Sequence, residues 1–216
     1  MKKILGIIFI CLLFCGTANA DFEWIKSQKI LSTNDIVNID KFKEFLKSNL
    51  SNKSLWLGMS SNKKKISLTE NLYVVLTGPP NKIRYLDNDR YIVISACRFR
   101  SCPEKGFVWI DTEKEVVVGL ILHYAIENEE NYDVGYFLTF SKNIKSFDKI
   151  PEQFFKPLKE WMIKQEVPLP EKIRFIGTDD SIAVVPDEYK VKLKWKIFND
   201  YLIATQSIHT LYTIKA

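Results

Sequence analysis

Tyr91-Ile92-Val93-Ile94-Ser95-Ala96, Gly106-Phe107-Val108-Trp109-Ile110 and Glu115-Val116-Val117-Val118-Gly119-Leu120-Ile121-Leu122 are three runs rich in β-branched and aromatic residues, closely spaced along the chain. Such composition fits a pleated, packed surface. Asp111-Thr112-Glu113-Lys114 separates the last two runs and reads as a hairpin turn. Upstream, Ile83–Leu86 is joined to Arg90–Ala96 by Asp87-Asn88-Asp89, a second turn of the same kind. Strands joined by short turns are antiparallel neighbours. Working outward, Leu72–Thr77 reads as a strand stopped by Gly78-Pro79-Pro80, and Tyr136–Phe140 as a further strand. Ile173–Ile176, Ser181–Val185, Tyr189–Phe198, Tyr201–Ala204 and His209–Ile214 read as shorter strands near the C-terminus.

Two segments carry helical spacing instead. Asp40–Leu50 places Phe42, Phe45, Leu46 and Leu50 on one face and Lys43, Glu44 and Lys47 on the other, with Asp40 as the expected N-cap. Pro151 opens a second helix, whose stripe is Phe154, Leu158, Trp161 and Met162 and whose end is marked by Pro168. Trp56 and Leu57 read as a buried anchor, and Lys63-Lys64-Lys65 as a solvated loop. The class is therefore α+β: a central antiparallel sheet with helices packed on one face. There is no internal repeat and no long linker, so residues 21–216 read as a single domain, with 123–216 as a C-terminal elaboration.

The N-terminus reads as a cleaved secretory signal. Met1-Lys2-Lys3 is a basic start, Ile4–Phe14 is uncharged and apolar, and Ala18-Asn19-Ala20 ends the segment with small residues. The apolar run is about half of the ~20 residues that a bilayer requires, which disfavours an anchor. Cys15 could suggest a lipoprotein, but bulky Phe14 precedes it where a small residue is expected. The expectation is an exported signal-peptide protein of the bacterial cell envelope, most simply of the periplasm, with no membrane span. Loss of Lys2 and Lys3 lowers Lys+Arg from 31 to 29 against 26 acidic residues, a net charge of about +3, too weak to argue for nucleic acid.

Cys11 and Cys15 leave with the leader, so Cys97 and Cys102 remain, and in an oxidising compartment they most simply form one disulfide. The ring lies in the connection between two strands and holds Arg98, Phe99, Arg100 and Ser101. Arginine and aromatic residues are the types that anchor protein interfaces, and a preformed ring loses less entropy on binding. Two guanidinium groups suit a partner with buried carboxylates. The alternative is a structural staple whose arginines face water. C-x4-C spacing disfavours a redox dithiol, and no further Cys or His stands close enough for a zinc site.

At these residues the chain resembles the inhibitor of vertebrate lysozyme, a family of periplasmic bacterial proteins. The resemblance covers roughly Ile39–Leu122 and rests on Tyr91–Cys102 followed by Gly106-Phe107-Val108-Trp109. In that family a strand ending in Ser-Ala-Cys leads into a Cys-Lys-Pro-His-Asp-Cys loop, and a Trp-bearing strand follows. The helix at Asp40–Leu50, the neighbourhood of Trp56 and the strand Glu115–Leu122 stand in the family's order. The resemblance implies inhibition of c-type lysozymes by a disulfide-closed loop pushed into the active-site cleft, where the loop histidine meets two catalytic carboxyl groups. Cys97 and Cys102 match the family's cysteines, and Arg98 matches its basic first position. Phe99 stands where the family has Pro, Arg100 where it has His, and Ser101 where it has Asp. Arg100 would keep a charge independent of pH but is longer than the histidine it replaces.

The expected function is thus a non-enzymatic, periplasmic lysozyme inhibitor acting by protein–protein interaction, with Arg98, Phe99, Arg100 and Ser101 as its partner-binding loop. The expected partner is a lysozyme or other peptidoglycan hydrolase, and the resemblance admits a homodimer. Alternatives are an immunity-type protein that neutralises a bacterial wall-degrading toxin, or a non-inhibitory envelope binding protein of the same fold. No catalytic residue, metal or cofactor is expected: there is no G-x-S-x-G, H-E-x-x-H or phosphate-cradling Gly loop. His123 and His209 read as packed or surface residues, and Glu127, Glu129 and Glu130 as a solvated acidic loop. Lys190–Ile197 alternates lysine with apolar residues and reads as an edge strand guarded by lysines.

Overall fold

The computed structural model describes residues 16–58 and 64–190 of the 216. The chain starts with helices α1 (Gly16–Ser27), α2 (Thr33–Val37) and α3 (Asp40–Asn49). A small ladder of β1 (Ser54–Leu55) with β2 (Ile66–Ser67) and a helix α4 (Leu68–Leu76) follow. The spine comes next: β3 (Arg84–Leu86), β4 (Tyr91–Arg98), β5 (Ser101–Asp111) and β6 (Val116–His123). A short hairpin, β7 (Ala125–Ile126) with β8 (Glu129–Glu130), leads to β9 (Tyr136–Phe140). Helix α5 (Phe155–Lys164), β10 (Lys172–Ile176) and β11 (Ile182–Val184) complete the described elements.

The expected hairpins form in register. β3 pairs with β4, β4 with β5 from Tyr91↔Asp111 to Ala96↔Gly106, and β5 with β6 from Asp111↔Val116 to Lys105↔Leu122. Asp87, Asn88 and Asp89 all take positive φ (51°, 51° and 67°), a conformation that Asn and Asp tolerate better than most residues. The other turn is built on Asp111. Its buried carboxylate accepts the backbone N–H groups of Glu113 and Lys114 and pairs with Arg90 at 3.2 Å. Among the described residues the main sheet has seven strands, in the order β11-β10-β9-β6-β5-β4-β3. All neighbours are antiparallel except β9 and β10, which run parallel. A parallel pair needs a long crossover, here supplied by the segment that carries α5.

Helices cover both faces of this sheet, a correction to the one-face arrangement expected from sequence. Ile92, Ile94, Val108, Ile110, Val117 and Ile121 face one way and pack with Phe22 and Ile25 of α1, Phe42, Phe45 and Leu46 of α3, and Leu68, Leu72 and Leu76 of α4. Val93, Phe107, Trp109, Val118, Leu120 and Phe137 face the other way and pack with Phe154, Leu158, Trp161 and Met162 at α5. The reason lies in the strands themselves. They are apolar at consecutive positions, not alternate ones, so neither face can be left to water.

Two local readings change as well. Leu72–Thr77 is not a strand but lies largely in α4. Leu68, Leu72, Val75 and Leu76 sit at helical spacing and are buried, and Ser67 caps the helix by accepting the Glu70 backbone N–H at 3.1 Å. The N-cap of α3 is Ile39, which places Asp40 in the first turn, where its charge favours the helix dipole. The second expected helix begins as a 3-10 turn, Glu152–Phe154, capped by Pro151, and its four stripe residues are all buried. Of the expected anchor, Trp56 is buried and Leu57 only half-buried; Lys64 and Lys65 are exposed, and Lys63 lies outside the described residues.

Helix α1 crosses the expected cleavage point after Ala20, and Phe22 and Ile25, which lie beyond that point, are buried in the core. Residues 1–15 of the expected leader lie outside the described residues. So does the expected strand Tyr189–Phe198 from Val191 onward, together with Tyr201–Ala204, His209–Ile214 and His209 itself; Tyr189 and Lys190 stand in a helical turn. No helix among the described residues is long and apolar enough to cross a membrane.

Candidate partner-binding tip

The β4–β5 hairpin runs past the end of its neighbours and finishes in the Cys97–Cys102 disulfide, as the cysteine spacing led one to expect. Arg98 pairs with Ser101, which leaves Phe99 and Arg100 as a two-residue turn. Arg100, the second of the two, takes φ 62°, the left-handed conformation that a type II turn needs at that position, while Phe99 does not. Register then shifts between Cys97↔Lys105 and Arg98↔Ser101. The three residues gained on β5, Cys102-Pro103-Glu104, bring Cys102 back to Cys97 and turn Glu104 inward.

A backbone segment supports the ring from the side. Cys97 N–H donates to Pro79 O at 3.4 Å, and Asn81 N–H donates to Ser95 O at 3.2 Å. Gly78 makes this approach feasible. A Cβ there would sit 1.9 Å from Cys97 O and 2.5 Å from the Phe99 nitrogen, so no other residue fits without moving backbone.

Side chains divide into two groups at the tip. Phe99 is 62% exposed, and the exposed Arg100 lays its guanidinium over the Phe99 ring, 5.2 Å from the centroid. Arg98, its side chain still 41% exposed, and Ser101 lean back on one shared carboxylate. Arg98 Nη1 lies 2.8 Å from Glu104 Oε2, and Ser101 Oγ donates to Glu104 Oε1 at 3.0 Å. Behind Glu104 stands His123 on β6, only 4% exposed, with Nε2 3.2 Å from Glu104 Oε2. That contact is close but lacks the alignment of a full hydrogen bond. The Ala125 backbone N–H donates to His123 Nδ1 at 3.1 Å, so the ring's proton sits on Nε2 and faces the carboxylate. Burial alone would raise the Glu104 pKa. The imidazole and the Arg98 guanidinium reverse that effect and hold it at about 2.

Arg98, Glu104 and His123 stand on one face of three adjacent strands, and with Leu57, Val74 and Val75 they border a cleft of about 260 Å³. On the far side of the ring, Tyr124 reaches Pro103 O at 3.5 Å and stacks on Tyr132. The disulfide closes the loop between two strands as expected; within it Phe99 and Arg100 project, while Arg98 and Ser101 are tied to Glu104. Gly78, Glu104 and His123 were not anticipated. A usable signal existed for the last pair, because the register Lys105↔Leu122 continued by one residue sets Glu104 opposite His123. Against known proteins, the chain matches no protein-family model, no curated protein and no solved structure.

Proposed function

We propose that the chain is a periplasmic inhibitor that binds a lysozyme-type muramidase and blocks its active-site cleft with the Cys97–Cys102 tip. The observation that supports this most directly is the partition of the ring: Phe99 and Arg100 project, while Arg98 and Ser101 are tied back to Glu104. A narrow, preformed projection suits insertion into a cleft, because little ordering entropy remains to be lost on binding. A glycosidase cleft presents two carboxyl groups across the scissile bond. Arg100 contacts them with a guanidinium that can grip a carboxylate through two hydrogen bonds, and Phe99 fills apolar space beside it. Arg98 acts from behind, as part of the scaffold. No covalent step is involved. Export rests on the leader-like residues 1–20, and the choice of target on the sequence resemblance around the ring.

The test is a titration of the mature, oxidised protein against c-type, g-type and i-type lysozymes, following cell-wall clearing. Inhibition of one class at stoichiometric concentration, lost in Arg100→Ala, is the expected result. If every class stays active, the same titration against bacterial wall hydrolases tests the immunity-type alternative. Failure against those as well would leave an envelope protein that inhibits nothing.

A further inference from the structure

We infer that Glu104 is a positioning residue for the tip: a single carboxylate, backed by His123, that clasps both ends of the Phe99–Arg100 turn and keeps it formed without the disulfide. The inference rests on the tip being the binding element.

Its basis is connectivity. Arg98 precedes the turn and Ser101 follows it, and each holds a different oxygen of the same carboxylate, at 2.8 Å and 3.0 Å. The clasp therefore closes the stretch 98–101, a shorter span inside the 97–102 ring closed by the cysteines. Two closures around one turn are redundant. Once one is made, the other has little chain entropy left to remove. Loss of either is masked by the survivor, and loss of both is not.

The setting distinguishes this from an ordinary surface ion pair, which contributes little. The Glu104 side chain is only 14% exposed, and the next residue, Lys105, is paired with Leu122 of β6. His123 closes the far side, locked by the Ala125 N–H. A partly buried carboxylate with donors on both oxygens holds its position because release would leave it desolvated and unpaired. Arg98, which composition alone marks as a contact residue, is assigned here to the clasp.

Four forms of the mature chain test this: wild type, Cys97→Ser/Cys102→Ser, Glu104→Gln, and all three substitutions together. Two measurements are made on each, the backbone amide NMR shifts of Phe99 and Arg100 and the inhibition midpoint. Either closure alone should keep wild-type tip shifts and inhibit within about fivefold of wild type. Loss of both should disperse the tip shifts and weaken inhibition at least about tenfold beyond the product of the separate losses, as expected for coupled groups. Equality of the triple variant and the cysteine variant in tip shifts would overturn the clasp. Should the triple variant not fold, judged by the Trp109 amide, adding reductant to wild type and to Glu104→Gln replaces it. Tip shifts lost only in Glu104→Gln support the clasp, and identical responses overturn it. The NMR arm needs no target, so an absence of inhibition would count against the proposed function while leaving the clasp to be decided.

Discussion

The two ends of the β4–β5 hairpin are held by different physics. In its body, from Tyr91↔Asp111 to Ala96↔Gly106, side chains on both faces are covered, with Trp109 stacked on Tyr91 and flanked by Phe154. Apart from the Asp111 carboxylate that builds the β5–β6 turn, apolar burial on both sides determines where each strand lies. At the tip the sheet's neighbours end and burial gives out. Order there depends on a disulfide, a carboxylate clasp and one glycine that lets backbone approach backbone. The body should therefore dominate stability and the tip should dominate binding, and the two should be separable.

The largest stability effect is expected in the body. Trp109→Ala empties a fully buried site and should cost about 3–5 kcal/mol in denaturant unfolding. Protein that remains folded should inhibit with unchanged stoichiometry. A change in inhibition per folded molecule would show that the two ends are coupled.

Next in size is the seam between body and tip. Gly78→Ala puts a methyl group onto the backbone of Cys97 and Phe99, where no flexible side chain can yield. The expected cost is about 1–3 kcal/mol, with a matching displacement of the ring seen in the Phe99 amide shift. A stable variant with an undisturbed tip would mean that the 78–81 segment does not brace the ring.

Glu104→Gln should cost less, on the order of 1 kcal/mol at neutral pH, as for a shielded group that loses its charged hydrogen bonds. The sign follows from its lowered folded-state pKa. The contribution is complete above the ordinary 4.5 and is lost as pH falls through about 2. The stability difference between wild type and Glu104→Gln should thus be flat at neutral pH and vanish between those values. A difference that persists unchanged at pH 2 would place the effect in packing and not in charge.

The same contrast explains what could be read in advance. The body was legible because its signals are local: β-branched runs and Asp-rich turns report on their own neighbours. The class, both spine hairpins and the Pro151 helix stripe follow from such signals. Leu72–Thr77 failed because a short apolar run fits strand or helix equally, and the cap that decides it, Ser67 with Glu70, lies outside that run. Helices on both faces are a less local property: β-branched runs and turns fix which strands pair, but only the unbroken apolar runs, taken over several strands, show that both faces need covering. At the tip, the cysteines announced the ring, but Glu104 and His123 are 19 residues apart in sequence and meet only through the β5–β6 register. Gly78 gives no local sign that another backbone lies against it.

The smallest stability effect, and the most informative, belongs to Arg100. Its φ of 62° is the left-handed conformation, which costs an L-residue roughly 1 kcal/mol and glycine almost nothing. Its side chain is exposed and, among the described residues, leans on Phe99, so the fold loses little when it goes. Arg100→Gly should leave stability unchanged or raise it by up to about 1 kcal/mol. Inhibition should nevertheless fall by at least about thirtyfold, the loss of an interface anchor worth about 2 kcal/mol. Arg100→Ala controls for the added flexibility of glycine, and it should lose inhibition equally without gaining stability. On the proposed reading, the arginine's value at this position lies in what its side chain contacts on the partner, and the two variants test that directly. Full inhibition by Arg100→Gly would break that argument and shift the contact to Phe99.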